Sequence, residues 1–457
     1  MCENAQIDYG HVRIFVTTQL IFFMSGFILP LNEHALIICL LSGLTLFNAG
    51  NVAAETLEDA WNIAIDNNHQ IKSAKADTSA SEQQVYSARG QRLPELNVNT
   101  GYTQLSETPA AKADFGGQTG QFNTSQAGSV KAQAIASIPV FTSGRISHSI
   151  NAAEASLEAA RHNEISSVLN IKMQVAEAYV SVLRSEGALQ VAQNHVDSLS
   201  KFHQDVNNLY DQGVVAKNDV LAADVELANA RQLVVQASNR LDIARAHYNQ
   251  LLDRKLDDEV RLAREFPETP PGTLAELSNS ALTQRPELVV LAQQIEALEQ
   301  QAKSVKAGTM PQVAVNGGYQ YQENRYQAFQ GLWMVNIGMQ WKLYDGSTGH
   351  SSDAISRQAL ALKEQRDDLN STIALQVRQA WLDIQEARQR IDVAQQAIAQ
   401  ADENMKVTTD RYQQGLSINT EVLKAEDLRT RAHDNLNNAG YDAALANLHL
   451  RRAVGNL

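Results

Sequence analysis

Two carboxylates at matching positions are the residues whose types and spacing best suit chemistry. Asp219 and Glu421 each lie six residues after a glycine, Gly213 and Gly415, that is placed to end a long predicted helix. Each acid falls at the start of the returning helix, where the helix dipole stabilises a negative charge. The spacing allows two interpretations: the carboxylates are simple helix-terminal charges, or they set the electrostatic field of a constriction.

Catalytic motifs are missing from the sequence. It contains no Gly-x4-Gly-Lys-Ser/Thr loop, no His-Glu-x-x-His and no Gly-x-Ser-x-Gly, so we expect neither an enzyme nor a cofactor or metal site. His148 and His350 occupy equivalent repeat positions and are interpreted as solvated interior residues. The net charge of −13 argues against nucleic acid as a partner, because an acidic surface repels phosphates.

The N-terminal segment 1–54 differs from the rest of the chain. Two apolar stretches, residues 14–31 and 35–47, precede the small residues Val52-Ala53-Ala54, which predicts a signal peptide cleaved before Glu55. Translation could also start at Met24, and a retained membrane anchor is the alternative. Cys39 follows large apolar residues, which argues against lipidation, and Cys2 and Cys39 would both leave with the signal.

An internal twofold repeat organises the remaining sequence. Residues 143–253 align with 345–455 at a constant offset of 202, and residues 93–102 align with 310–319 at an offset of 217. The first half is longer within residues 103–129, which are predicted to be a loop. The domains are therefore predicted as a first repeat over 55–272, ending in a proline-rich linker over 254–272, and a second repeat over 273–457.

Long helices dominate each predicted half. A first helix is expected over about 56–91 and 274–307, and a helix of about 65 residues from Gly144 to Leu209 would form a rod of roughly 100 Å. Apolar and small residues recur in both long helices with alternating spacings of four and three, which predicts coiled-coil packing. The second-half seam is Ile373, Val377, Ala380, Ile384, Ala387, Ile391, Ala394, Ile398, Ala401, Met405 and Thr408. A coiled-coil spacer would explain this seam equally well.

A coiled-coil spacer does not explain the predicted strands, in which apolar and polar side chains alternate. Residues 332–344 place Trp333, Val335, Ile337, Met339 and Trp341 on one face, with the two tryptophans near its ends like a lipid-facing aromatic girdle. Similar apolar faces are predicted for Val130, Ala132, Ala134, Ala136, Ile138 and Val140, and for Val313, Val315, Tyr319 and Tyr321. Four strands cannot close a transmembrane barrel and lipid tolerates no open edge, so the barrel must be shared between protomers.

The sequence resembles the TolC-like outer membrane efflux family. The resemblance covers the chain from Glu55 onward and rests on the duplicated layout and on Leu343-Tyr344-Asp345-Gly346, Arg285-Pro286-Glu287-Leu288 and Arg411-Tyr412-Gln413-Gln414-Gly415. It implies an α+β membrane protein: a homotrimer with a transmembrane β-barrel shared between protomers and a long coiled-coil α-helical barrel. It further implies an outer membrane location extending into the periplasm, with a periplasmic adaptor and an inner membrane transporter of RND or ABC type as partners.

The resemblance also implies a periplasmic gate at the tight turns. Glu421 matches the family's first aperture acid, whereas Lys424 stands where a second acid is usual. Asn218, Asp219 and Tyr412 match gate-linking positions, and Ser417 stands where the family has a basic gate-linking residue.

The resemblance therefore implies a passive exit duct that exports small molecules, such as drugs and toxic compounds, or proteins, as in type I secretion. The alternative is a periplasmic coiled-coil adaptor or spacer, and an exported enzyme comes third.

Overall fold

The computed structural model describes residues 54–457, so the predicted signal segment lies outside the described residues except for Ala54. The first half contains α1 (Leu57–Asn67), α2 (His69–Gly90), β1 (Glu95–Gln104), β2 (Ala110–Phe115), β3 (Gln118–Asn123), β4 (Gly128–Phe141), α3 (Arg145–Asp211) and α4 (Lys217–Leu251). The second half contains α5 (Leu274–Gln284), α6 (Pro286–Ala307), β5 (Gln312–Gln322), β6 (Gly331–Gln340), α7 (Thr348–Gln413) and α8 (Asn419–Val454). Apart from β2–β3, the order of elements is the same in both halves.

The first helix of each half is broken by one residue, contrary to the expected continuous helices over 56–91 and 274–307. Asn68 and Arg285 are both extended, with ψ of 128° and 117°. Pro286 explains the second break, because a residue before proline is driven out of the helical region. At the first break, the Asn68 side chain accepts a hydrogen bond from the Gln70 amide at 2.9 Å and caps α2.

The predicted loop over 103–129 contains a two-stranded hairpin, so that prediction was wrong. Strands β2 and β3 pair antiparallel from Ala110 opposite Asn123 to Phe115 opposite Gln118. The connecting residues Gly116 and Gly117 both have positive φ, of 64° and 92°. This is the geometry that tight hairpin turns require, and the sequence carried the glycine pair that signals it.

The other four strands form one antiparallel sheet in the order β1-β4-β5-β6, with β1 and β6 at its edges. The register brings the apolar faces of all four strands onto one side. One row across the sheet, for example, is Val98, Ala134, Tyr319 and Trp333. The opposite side is mainly polar, as in the row Glu95, Ser137, Asn316 and Asn336. The sheet is therefore apolar on one face and amide-rich on the other.

Two details of the predicted strand faces differ in the structure. Strand β6 ends at Gln340, so Trp341 lies one residue beyond it instead of within it. A register shift in β4 between Pro139 and Phe141 places Phe141, in place of Val140, opposite Val313. Both changes occur where a strand approaches a long helix, and in β4 the extra residue re-aims the chain.

The long helices span 67 residues in α3 and 66 in α7, which corresponds to about 100 Å each. The predicted seam residues Ile373 and Val377 are buried in α7, and so are Ile171 and Val175 at the repeat-equivalent positions of α3, each at most 1% exposed. Helix α4 returns along α3, and α8 returns along α7, so that each half forms a helical hairpin. Within residues 54–457, no helix combines the length and apolar character needed to cross a membrane.

The linker binds across the middle of α3. The hydroxyl oxygen of buried Tyr179 lies 2.6 Å from the carbonyl oxygen of Ala263 and 2.8 Å from that of Glu55. Arg254 donates two hydrogen bonds of 2.9 Å to the Glu55 carboxylate. These contacts fix both the linker and the chain near residue 55 at mid-height on the helical hairpins.

Candidate functional site

The site lies where the two helical hairpins turn, at residues 212–219 from the end of α3 into α4 and residues 414–421 from the end of α7 into α8, and each of these turns is called a tip. After α3 and α7, Gly213 and Gly415 each have φ of 72°, a left-handed backbone conformation that residues other than glycine rarely adopt. The Gly213 amide donates to the Tyr210 carbonyl oxygen at 2.8 Å, and the Val214 amide donates to that of Leu209 at 2.9 Å. Gly415 and Leu416 repeat this pattern, which is the Schellman motif at a helix end.

The two predicted acids occupy the third position of the returning helices. Asp219 and Glu421 lie in the first turns of α4 and α8, whose preceding residues Ala216 and Ile418 provide no side-chain cap. The carboxylates therefore supply negative charge beside amide groups that lack helical partners. Ser417 donates a short hydrogen bond to the exposed Glu421 carboxylate, and this bond orients the carboxylate at the tip.

A side-chain hydrogen bond joins the two tips. The side-chain amide of Asn419, itself only 5% exposed, donates to the backbone carbonyl oxygen of Asp219 at 3.0 Å. On the other side, the Asn218 amide lies 3.4 Å from the Asp219 carboxylate. Sequence reasoning named Asp219 and Asn218 but missed Asn419, although an amide at the first position of a helix was visible as a signal.

Tyr412 lies inside the tip, at 6% exposure, whereas its repeat equivalent Tyr210 is 41% exposed. Its ring packs against Phe202 with centroids 5.4 Å apart. Burial raises the pKa of Tyr412, and the nearby Asp219 charge raises it further. Within the described residues its hydroxyl has no hydrogen-bond partner.

The tip does not gather all the predicted gate residues. Lys424 is exposed one turn beyond Glu421, and no ion pair joins it to a carboxylate within residues 54–457. Ser417 and Glu421 form one hydrogen-bonded pair, and Asn419, Asp219 and Asn218 form a separate group. Trp333 and Trp341 lie far away along the chain, at the sheet, and are 82% and 54% exposed.

Sequence reasoning also missed a buried glutamate above the tip. Glu426 on α8 is 2% exposed and contacts His195 on α3, with Nδ1 and Oε1 3.1 Å apart. The sequence did carry a signal for it: Glu426 lies at helical spacing from Val422 and beside Ala425, so a charged residue occupies the apolar face of α8. The contact joins the two helical hairpins directly.

The comparisons with known proteins agree with this architecture. The family described as "Outer membrane efflux protein" matches residues 60–253 and 277–456. The outer membrane protein TolC of Vibrio cholerae is 23% identical over 426 residues, covering 89% of this chain and 92% of that protein. The alkaline protease secretion protein AprF of Pseudomonas aeruginosa is 22% identical, covering 88% of this chain and 84% of that protein.

Among solved structures, the outer membrane channel OprN superposes with a TM-score of 0.75 at 18% identity, covering 88% of this chain and 90% of that one. This likeness establishes the fold: long helical hairpins joined to a small sheet. The family match covers most of the chain in two segments that correspond to its two halves. The chain thus belongs to the outer membrane efflux protein family, and it is an outer membrane channel-family protein and not an enzyme.

Proposed function

We propose that this chain is one third of a passive exit duct that crosses the outer membrane and the periplasm. The carrying observation is the four-stranded sheet, apolar on one face and amide-rich on the other, joined to two helices of about 100 Å. A periplasmic adaptor or spacer would have no use for a sheet that exposes such a face. A duct requires both parts, because cargo must pass the bilayer and the periplasm.

The free edges of the sheet support oligomerisation. Within residues 54–457, strands β1 and β6 each pair on one side only, and unpaired backbone groups find no water in lipid. Three sheets joined edge to edge give twelve strands, enough for a barrel with an open lumen. The apolar face then contacts lipid, with Trp333 and Trp341 in an aromatic girdle, and the amide-rich face lines the lumen.

The helices carry a second apolar stripe that fits the same assembly. On α7, Leu375, Leu382, Val393 and Val407 are 45–66% exposed at spacings of 7, 11 and 14 residues. These spacings keep them on one side of the helix, away from the buried seam. We assign this stripe to contacts with a second copy, which would close twelve helices into a tunnel.

The closed end of that tunnel would be the helical tip. Threefold symmetry would bring three copies each of Asp219 and Glu421 near the axis, where carboxylate rings favour cations. Ser417, Asn218 and Tyr412 would link neighbouring tips, and Lys424 would offset part of the negative charge. The two repeats would each contribute one tip to the ring.

Energy and cargo recognition would come from partners. The sequence has no nucleotide-binding loop, so transport would be driven by an inner membrane transporter of RND or ABC type, reached through a periplasmic adaptor. The family description supports efflux, for which we propose small molecules such as drugs or toxic compounds as cargo. The name of AprF supports protein secretion as the other cargo class.

The test is purification of the chain from outer membranes followed by light scattering and planar-bilayer recording. We expect extraction to require detergent, a trimeric mass, and ion conductance after reconstitution. A water-soluble monomer that forms no pores would overturn the proposal.

A further inference from the structure

The two helical hairpins meet along the contact between α3 and α8, a seam distinct from the heptad seams of α3 and α7. Near the tip this seam is apolar, with Phe202, Val206, Tyr412 and Val422 in one cluster. Above that cluster its character changes, and charged side chains replace apolar ones.

Glu426 lies at the centre of the polar part of the seam. Its carboxylate accepts a hydrogen bond from Ser198 at 2.8 Å and contacts His195 Nδ1 at 3.1 Å, both across the seam on α3. Thr430, one turn along α8, lies 2.9 Å from the same ring nitrogen. With Glu426 at 2% exposure, this carboxylate is held mainly by groups of the opposite hairpin.

The charges continue from Glu426 into α7. Arg429 lies 3.6 Å from Glu426 and donates to Asp402 at 2.8 Å, and Asp402 lies 3.4 Å from His433. Positive and negative groups therefore alternate from His195 to His433 when both histidines are protonated. When both histidines are neutral, the remaining charges are those of Glu426, Arg429 and Asp402, so one of the two carboxylates has no counter-charge.

Water can reach this network. A cavity of about 490 Å³ opens beside His195, lined by α3, α7 and α8. From α3 it also exposes Asp197, Lys201 and Asp205, which together add one negative charge. Protonation of His195 would thus reduce a local excess of negative charge at the contact between the hairpins.

The repeat provides an internal comparison. Asp224 is the equivalent of Glu426 at the offset of 202 residues, and it also pairs with a histidine of α3. Asp224 lies 2.7 Å from His203 Nε2, but both belong to the α3–α4 hairpin. Of the two equivalent acids, Asp224 therefore contacts a histidine of its own hairpin, whereas Glu426 contacts a histidine of the other hairpin.

We propose that His195 and Glu426 form a pH-responsive latch between the two helical hairpins, strengthened when His195 is protonated. Imidazole changes charge near pH 6.5, and a charge-assisted hydrogen bond is stronger than a neutral one. Acidification therefore holds the α7–α8 hairpin against α3, and neutral pH loosens it. This inference rests on the proposed duct, in which the hairpins line the tunnel near its closed end.

The experiment measures conductance and hairpin separation in the reconstituted trimer at about pH 5.5 and pH 7.5, on either side of the imidazole range. Separation is followed by electron–electron distance measurement between spin labels at Gln204→Cys on α3 and Asn404→Cys on α7. Both positions are exposed. The variants are His195→Gln and Glu426→Gln, and His203→Gln is the matched control.

We expect the wild-type open probability to fall about tenfold at the lower pH, the ratio that corresponds to about 1.4 kcal/mol, with a narrower label distance. His195→Gln and Glu426→Gln should abolish the pH response, whereas His203→Gln should keep it. A pH response that survives His195→Gln, an equal loss in His203→Gln, or a wild type without any response would each overturn the latch. A trimer without conductance would contradict the duct, and the label distances would still test the latch.

Discussion

Tyr319 on β5 and Trp333 on β6 lie directly opposite each other, with ring centroids 5.3 Å apart and planes inclined at 55°. Trp333 is nevertheless 82% exposed, so the pair is packed on one side and open on the other. A large aromatic pair left open on a sheet face is unusual in water and ordinary at a lipid interface. The pair therefore defines which face of the sheet should contact the bilayer.

Arginine substitutions on the two faces of β6 should have unequal effects. Ile337→Arg places a charge on the apolar face and should cost about 2–4 kcal/mol, because the charge would enter hydrocarbon. Asn336→Arg, the adjacent residue on the amide-rich face, should be tolerated much better. Trimer yield after extraction measures the difference, and equal yields from the two variants would contradict our assignment of the faces.

Charge changes at the tip should alter ion selectivity. Glu421→Gln removes three negative charges from the proposed ring and should lower cation preference, whereas Lys424→Asp adds acids and should raise it. If Glu421 serves only the helix dipole, its loss should cost about 0.3–1 kcal/mol and leave ion flow unchanged.

Reversal potentials in a salt gradient separate these two roles. Glu364→Gln, which changes an exposed acid in the upper part of α7, is the control and should leave selectivity unaltered. Unchanged selectivity in both tip variants would remove these residues from the constriction and leave the duct itself standing.

The turn glycines should resist substitution for conformational reasons alone. A Cβ at Gly415 would meet no atom within 4 Å, but its φ of 72° would cost a non-glycine residue about 1–2 kcal/mol. Gly440, inside α8 and equally unobstructed, should instead gain up to about 1 kcal/mol when changed to alanine. Thermal unfolding of Gly415→Ala and Gly440→Ala should shift in opposite directions; a shared direction would contradict the strain argument.

Glu287 should make stability dependent on pH. Burial raises its pKa, but hydrogen bonding to Arg452 and the charges of Arg452 and Arg285 lower it to about 2, against 4.5 for a free side chain. A depressed carboxylate pKa means that the stabilisation is complete above about pH 4.5 and is lost as the pH falls towards 2.

Glu287→Gln should therefore lower the free energy of unfolding by about 3 kcal/mol at neutral pH, because it leaves two arginines without a counter-charge. The difference from the wild type should shrink as the pH falls. Denaturant titration across that range is the measurement, with Glu364→Gln again as the control. A deficit that stays constant with pH would rule out the ion pairs as its cause.

Much of this fold could be predicted because its signals are long and periodic. The seam through Ile373 and Val377 recurs over many turns, and the glycines at 213 and 415 mark where it stops. Alternation along β6 likewise assigns its two faces, since one residue of slippage would reverse them all. The break at Asn68 was missed because its cause is a local side-chain cap and leaves the periodicity intact.

The contacts between hairpins could not be predicted in the same way. Glu426 and His195 are separated by 231 positions in the chain, and either residue alone resembles an ordinary solvated charge on a helix. Their proximity depends on the rotation of α8 against α3, which no local pattern specifies. Asn419 and Asp219 meet for the same reason, through packing between tips and not through spacing along one helix.

The unpaired edges of β1 and β6 have a genetic consequence. In the proposed trimer each chain must complete the sheet of both neighbours, so a protomer with a damaged edge spoils an assembly that contains two sound ones. When equal amounts of normal and damaged chains associate at random, only about one trimer in eight is entirely normal. Substitutions at these edges should therefore behave as dominant alleles, whereas changes that merely unfold the chain before assembly should be recessive.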